Sequence, residues 1–223
     1  MHKITQYSAV NLMKEAGADS GKWSIIPSPE VVDRTVRATE ERGIRVVRAT
    51  DCGAALSGLQ RIIPPGAEIM TGSSTTLTEI GLEEFIAGGK SGWNSLHAII
   101  TSENDAAKRA ELRRKSVAAD YFISGANAIA QTGEIVACDA GGSRVGAWPF
   151  AAGHLILVAG INKIVPDVSS ALQRIREYAF PLENARAMHV YNTPSIMGKC
   201  VILAHERIAG RVTLVLVSEA LGY

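Results

Sequence analysis

Apolar residues follow two rhythms along this chain. Short, nearly continuous apolar runs alternate with stretches in which apolar positions recur every third or fourth residue. The first pattern predicts strands buried on both faces, the second amphipathic helices. Taken in order, the spacing predicts a short helix over 8–17, with Val10, Leu12, Met13 and Ala16 on one face and Gly17 at its end. Residues 18–29 read as a polar loop. Ser28-Pro29-Glu30 opens a helix with Val31, Val32 and Val36, and Gly43 stops it. Residues 44–48 form a strand. Asp51 then caps a helix carrying Ala54, Ala55, Leu56, Leu59 and Ile62, which ends before Pro64-Pro65.

A strand leads in from Pro64-Pro65-Gly66 and hands over, through Gly72-Ser73-Ser74-Thr75-Thr76, to a helix marked by Leu77, Ile80 and Leu82. Residues 83–95 read as irregular; the glycine-rich stretch 88–94 is either a lid or an ordinary connection. Strands are expected over 97–101, 119–124, 134–138 and 154–160. Helices are expected from Ser102 to about Val117, and from Pro166-Asp167 to Pro181. Residues 181–199 look irregular. Residues 200–204 and 212–217 read as two strands about a turn. The sum is an α/β protein: a mostly parallel sheet with helices on both faces and a short C-terminal antiparallel strand pair. Residues 1–27 read as an N-terminal helix and linker, and residues 28–223 as one α/β domain.

Composition narrows the function classes. Net charge is +1 with no long run of one sign, which disfavours a nucleic-acid partner. Cys52, Cys138 and Cys200 are widely separated and form no Cys-x-x-Cys pair, so the pattern offers no metal site. An odd cysteine count, residues 1–7 without an apolar signal core, and no apolar run of about 20 residues point to a cytoplasmic protein outside the membrane. A homodimer is the base-rate expectation.

The candidate chemistry centres on Gly72, Ser73, Ser74, Thr75 and Thr76. A glycine and four hydroxyl residues between a strand and a helix suit a small anionic metabolite, carboxylate or phosphate. The glycine permits close approach, and the first helical turn leaves N–H donors unpaired. Thr76 and Glu79 also have the spacing of a capping box, which serves any helix. No Gly-Lys-Ser/Thr follows, so this is not a nucleotide P-loop.

Two further stretches carry a resemblance. Residues 125–136 (Gly-Ala-Asn-Ala-Ile-Ala-Gln-Thr-Gly-Glu-Ile-Val) and 158–165 (Val-Ala-Gly-Ile-Asn-Lys-Ile-Val) are similar to the lactate-utilisation (LUD) domain family. The Ser/Thr-rich loop and the closing Glu219-Ala220-Leu221-Gly222-Tyr223 resemble small, stand-alone members. The resemblance covers about residues 28–223. It implies a fold like ribose-5-phosphate isomerase, glucosamine-6-phosphate deaminase (NagB/RpiA) and the CoA transferases. It also implies a ligand at the carboxyl ends of the parallel strands, where loops 72–76, 125–130 and 160–163 converge. Relatives take part in oxidising lactate to pyruvate beside partner subunits that carry iron–sulfur clusters. No cofactor is identified on this chain itself. The alternatives are a non-catalytic binding or regulatory module, and a sugar-phosphate isomerase or CoA-transferase-type enzyme.

Asn127 stands where the isomerases have an acid, and an amide is no general base. Glu134 is therefore the leading acid or base, with Glu79, Asp139 and His154 as substitutes; it also reads as a surface turn residue. Asn127 either hydrogen-bonds a ligand beside Gly125 or takes a left-handed turn. Lys163, next to Asn162, either neutralises an anion or pairs with Asp167 or Glu134. Arg144 either clamps a carboxylate or lies exposed. Trp93 and Trp148 either wall a pocket or plug the core.

Overall fold

The computed structural model describes residues 9–223, and side chains from residue 11 onward. In chain order the elements begin α1 (Ala9–Ala16), α2 (Ser20–Trp23), α3 (Pro29–Glu41), β1 (Arg45–Ala49), α4 (Cys52–Ile62), β2 (Glu68–Thr71), α5 (Thr75–Glu79) and α6 (Leu82–Ala87). There follow β3 (Asn94–Ser95), α7 (Leu96–Ser102), α8 (Ala106–Lys115), β4 (Tyr121–Gly125), β5 (Ala128–Ala130), β6 (Ile135–Asp139), α9 (Ser143–Gly146) and β7 (His154–Gly160). The chain closes with β8 (Ile164–Val165), α10 (Val168–Arg174), α11 (Phe180–Tyr191), β9 (Lys199–Leu203) and β10 (Val212–Val217).

Among the described residues, six strands form one sheet in the order β1-β10-β7-β4-β2-β3, every pairing parallel. A second sheet, β8-β5-β6-β9, is mixed: β5 runs parallel to β8, and β6 antiparallel to both β5 and β9. Alternation of side chains divides the main sheet into two dry faces. Met70, Phe122, Leu155, Leu157, Leu214 and Leu216 pack on one side with Val36 and Trp148. Ile69, Ile123, Ile156, Val158, Val215 and Val217 pack on the other with Ala55 and Leu59 of α4 and Leu77 of α5. Burial on both faces is why these strands are apolar at nearly every position. A third cluster joins Ala128, Val136 and Val165 of the small sheet to Leu12, Trp23, Tyr178 and Leu182.

Several expectations are corrected. Residues 97–101 are helical, not a strand. Ser95 caps α7 through the Ala98 N–H at 3.3 Å, and Ile100 is buried with Leu96 against the same core. A short apolar run fits either element, and here the cap decides. Residues 83–87, read as irregular, belong to α6, entered through Gly81 at φ 77°. The helix from Val168 does not stop at Pro181. A widened π turn at Ile175–Ala179 carries it into α11, relieving the clash a proline ring makes with the preceding turn. That places helix through most of the stretch read as irregular over 181–199.

The C-terminal strands do not pair with each other. β9 joins β6 at the edge of the small sheet, while β10 lies between β1 and β7 at the centre of the large one. All six residues of β10 are buried, the signature of a central parallel strand rather than a hairpin arm. Residue 8 and the Val10 side chain, assigned to the first helix, lie outside the described residues. No helix among the described residues is long and apolar enough to cross a membrane.

Candidate functional site

Because β2, β4 and β7 are adjacent and parallel, their carboxyl ends lie side by side. The loop after β2, the turn after β4 and the turn after β7 therefore meet. A cleft of about 280 Å³ opens over them. Gly72, Ser73, Ser74, Thr75 and Thr76 form one wall, Gly125 to Asn127 the floor, and residues 138–144 the opposite wall. The α10–α11 helix and the C-terminal residue Tyr223 close it.

The hydroxyl loop is built by close contact. A side chain at Gly125 would place its Cβ 2.3 Å from Ser74 Oγ, so the glycine leaves room for the Ser74 side chain against β4. Ser74, not Thr76, is the helix cap: its hydroxyl accepts the Leu77 N–H at 3.4 Å. The expected Thr76–Glu79 capping box does not form, because each side chain is used elsewhere. Glu79 accepts the Gly222 N–H at 2.6 Å, and its carboxyl is pushed above the usual range by burial. α5 has only five residues, so its dipole adds little.

Thr76 accepts a hydrogen bond from Lys163. Lys163 Nζ stands 2.8 Å from Thr76 Oγ1 and 2.9 Å from the Ala126 carbonyl, at the bottom of the cleft. The side chain is buried, with 2% of its surface accessible. Burial, then the positive field of Arg174, depresses its pKa to about 7; Glu79 opposes the shift, and Arg144 adds to it. Among the described residues no carboxylate lies within ion-pair distance of Lys163. Glu134 pairs with Arg42 at 2.6 Å, and Asp167 instead caps α10 through the Ser170 N–H.

Arg144 is half-buried in the cleft wall but does not present its fork to a ligand. Nε pairs with Asp139 at 2.6 Å, Nη1 donates to the Gly125 carbonyl, and Nη2 donates to Cys138 O and Asn127 Oδ1. It ties the floor to the far wall. Asn127 is bound into the same knot, since its Oδ1 also accepts the Cys138 N–H at 2.9 Å. Its backbone is not left-handed.

Two predicted site residues are elsewhere. Asn162 is buried behind the cleft, donating to Ser24 Oγ and accepting the Leu221 N–H, so it anchors the C-terminal segment. Glu134 does not line the cleft: it sits in the turn before β6, bound to Arg42 and Thr132. Of the substitute bases, Asp139 lines the cleft but is committed to Arg144 and the Val145 N–H. His154 opens β7 at the opposite end of the sheet, stacked on Tyr121 at 4.7 Å. Neither tryptophan walls the cleft. Trp148 is fully buried, and Trp93 packs edge-on to Phe85.

The helix at 180–191 supplies residues that the sequence reading missed. Glu183 lines the cleft, bound by Arg186 at 2.7 and 2.8 Å and by the Tyr223 hydroxyl at 2.7 Å. Burial and the neighbouring Glu183 charge raise the Tyr223 pKa, keeping the phenol neutral. Arg174, fully buried, donates to the Trp23 and Asn127 carbonyls and leaves Nη2 without a partner. A basic residue amid the apolar positions of 168–178 was the available signal. The basic side chains along the cleft are Arg113, Arg144, Lys163 and Arg186, and the carboxylates are Asp139 and Glu183. Asp139 neutralises Arg144 and Glu183 neutralises Arg186, so the remaining charge is positive. Among the described residues no group of three or more His, Cys, Asp or Glu side chains is placed to hold a metal ion.

An α/β protein with a parallel sheet and a cationic cleft at the strand ends is thus defined. The family model described as the LUD domain matches residues 32–217, and the chain belongs to that family. Among solved structures, a DUF162 family protein from Deinococcus radiodurans matches with TM-score 0.50 and 10% identity, over 84% of this chain and 96% of that one. The eIF2B beta subunit of Chaetomium thermophilum gives TM-score 0.34 at 15% identity, over 52% of this chain and 43% of that one. No curated protein matches the chain.

Proposed function

We propose that the cleft seats a small anionic metabolite, a carboxylate or phosphate, and that the protein acts as an anion-binding subunit of a lactate-oxidising system. The observation that carries the binding reading is Lys163: a buried cation lining the cleft with a hydroxyl and a carbonyl as partners and no carboxylate. A buried charge with no carboxylate in ion-pair contact is costly, and an anion in the cleft offsets that cost. The Ser73–Thr75 hydroxyls supply neutral donors beside it. The lactate-oxidation part rests on family membership and the meaning of the domain name. In that scheme a partner subunit carries the iron–sulfur clusters and receives the electrons, and the protein itself is cytoplasmic.

Thermal-shift measurements with lactate, pyruvate, inorganic phosphate, a sugar phosphate and an acyl-CoA test this. Stabilisation by at least one anion, lost on Lys163→Met, is expected. No shift with any of them counts against it.

A second reading, a binding module without chemistry, is favoured by one arrangement: Glu134 is outside the cleft and Asn127 is bound within the wall. Binding without turnover, with partner subunit present, distinguishes it. The isomerase or CoA-transferase reading needs a free carboxylate in the cleft, and both lining carboxylates are held by arginines.

A further inference from the structure

Cys138 and Cys200 face each other across the β6–β9 ladder. The register pairs them directly, between Ala137↔Val201 and Asp139↔Lys199. Directly opposite residues on antiparallel strands point to the same face, with Cα atoms about 4.5–5.5 Å apart. That separation falls within the range a disulfide spans, about 4.4–6.8 Å. The two thiols interact, and the contact helps raise the Cys138 pKa. Cys200 is exposed, while Cys138 is half-buried and lines the cleft.

We propose that Cys138 and Cys200 form a reversible dithiol–disulfide pair in the cleft wall, a modification site whose oxidant is a low-molecular-weight disulfide. The exposed Cys200 thiolate attacks the small disulfide, forming a mixed disulfide and releasing one small thiolate. The Cys138 thiolate then attacks the Cys200 sulfur, closing the protein disulfide and releasing the second. Two protein thiols are oxidised, one small disulfide is reduced, and the two protons pass to the departing thiolates. Burial pushes the Cys138 thiol up to about 12, so the closing step is slow near neutrality and quickens with rising pH. The third cysteine serves as an internal control. Cys52 lies at the start of α4 with its thiol against Glu219, and is also shifted upward, to about 11.

The bond would bear on the cleft through the main chain. The Cys138 N–H is held by Asn127 and its carbonyl by Arg144, so fixing Cys138 fixes the knot that joins floor and wall. The proposal does not rest on the anion reading, and its test uses no cleft ligand.

The test is to equilibrate the folded protein in mixtures of oxidised and reduced glutathione, quench with acid, and count thiols and mass. Oxidation should leave one reactive thiol of three, with two hydrogens lost and a peptide cross-link between Cys138 and Cys200. Cys200→Ser should abolish the cross-link, and Cys138→Ser should instead trap one glutathione on Cys200. Both variants should melt near the wild type, since Ser keeps the size of Cys and neither thiol is fully buried. Three free thiols throughout, or glutathione carried on single cysteines of the wild type without cross-linking, overturns the proposal.

Discussion

The Lys163 ammonium lies 2.8 Å from the Thr76 hydroxyl, joining the turn after β7 to the helix start after β2. The two residues are 87 positions apart in the chain and come together because β4 alone separates their strands. That contact places a cation under the hydroxyl loop.

The buried lysine makes stability depend on pH. In the unfolded chain Lys163 titrates near its ordinary 10.5; in the folded protein it titrates at about 7. Between these values the unfolded state binds more protons, so this residue makes stability rise with pH across that window. Below about pH 7 both states are charged and the full cost of the buried ammonium is felt. Urea midpoints of wild type and Lys163→Met from pH 6 to about 9 should therefore diverge, with wild type gaining relative to the variant as pH rises. Parallel curves would show that Lys163 titrates normally.

Gly125→Ala should both destabilise the protein and open the hydroxyl loop. The added methyl would meet Ser74 Oγ at 2.3 Å. Overpacking of this kind costs about 1–3 kcal/mol. Denaturant unfolding reads the loss, and weaker stabilisation by phosphate should accompany it.

Glu134→Gln should leave anion binding unchanged, because the carboxylate is outside the cleft. It breaks the pair with Arg42, whose side chains are 15% and 19% exposed respectively. A loss of about 1 kcal/mol in stability is expected, toward the upper end for partly exposed pairs. A change in ligand affinity without that loss would return Glu134 to the site.

Tyr223→Phe removes the hydroxyl that donates to Glu183. Glu183 keeps both contacts from Arg186, so the cost should be modest, about 0.5–1.5 kcal/mol. Thermal melts of the variant check this.

Much of the fold was legible because buried parallel strands write themselves as apolar runs: the strand expected over 154–160 has those bounds, and the one expected over 119–124 runs from 121 to 125. What failed was local ambiguity and partner choice. Residues 97–101 could be strand or helix by composition, and only the Ser95 cap decides. The 212–217 run announced a strand but not its neighbours, which lie at 45–49 and 154–160. The loops of the cleft were legible as glycine and hydroxyl punctuation at strand ends. Their side-chain loyalties were not: whether Arg144 faces a ligand or Asp139, and whether Glu134 faces the cleft or Arg42, depends on contacts far apart in the chain. Pro181 hid the helix that brings Glu183 and Arg186 to the site, because a π turn has no simple sequence signature.

The most direct test of the anion site is calorimetric titration with pyruvate, whose carboxylate stays ionised throughout, at about pH 6 and about pH 8.5. Binding to a protonated Lys163 requires affinity to fall as pH rises past about 7, by up to about tenfold per unit. It also requires proton uptake on binding near pH 7 and loss of binding in Lys163→Met. If pyruvate proves too small for the cleft, sulfate substituted in the same titration must show the same pattern. Equal affinity at both pH values, or binding undiminished in Lys163→Met, would contradict a cleft built around this lysine.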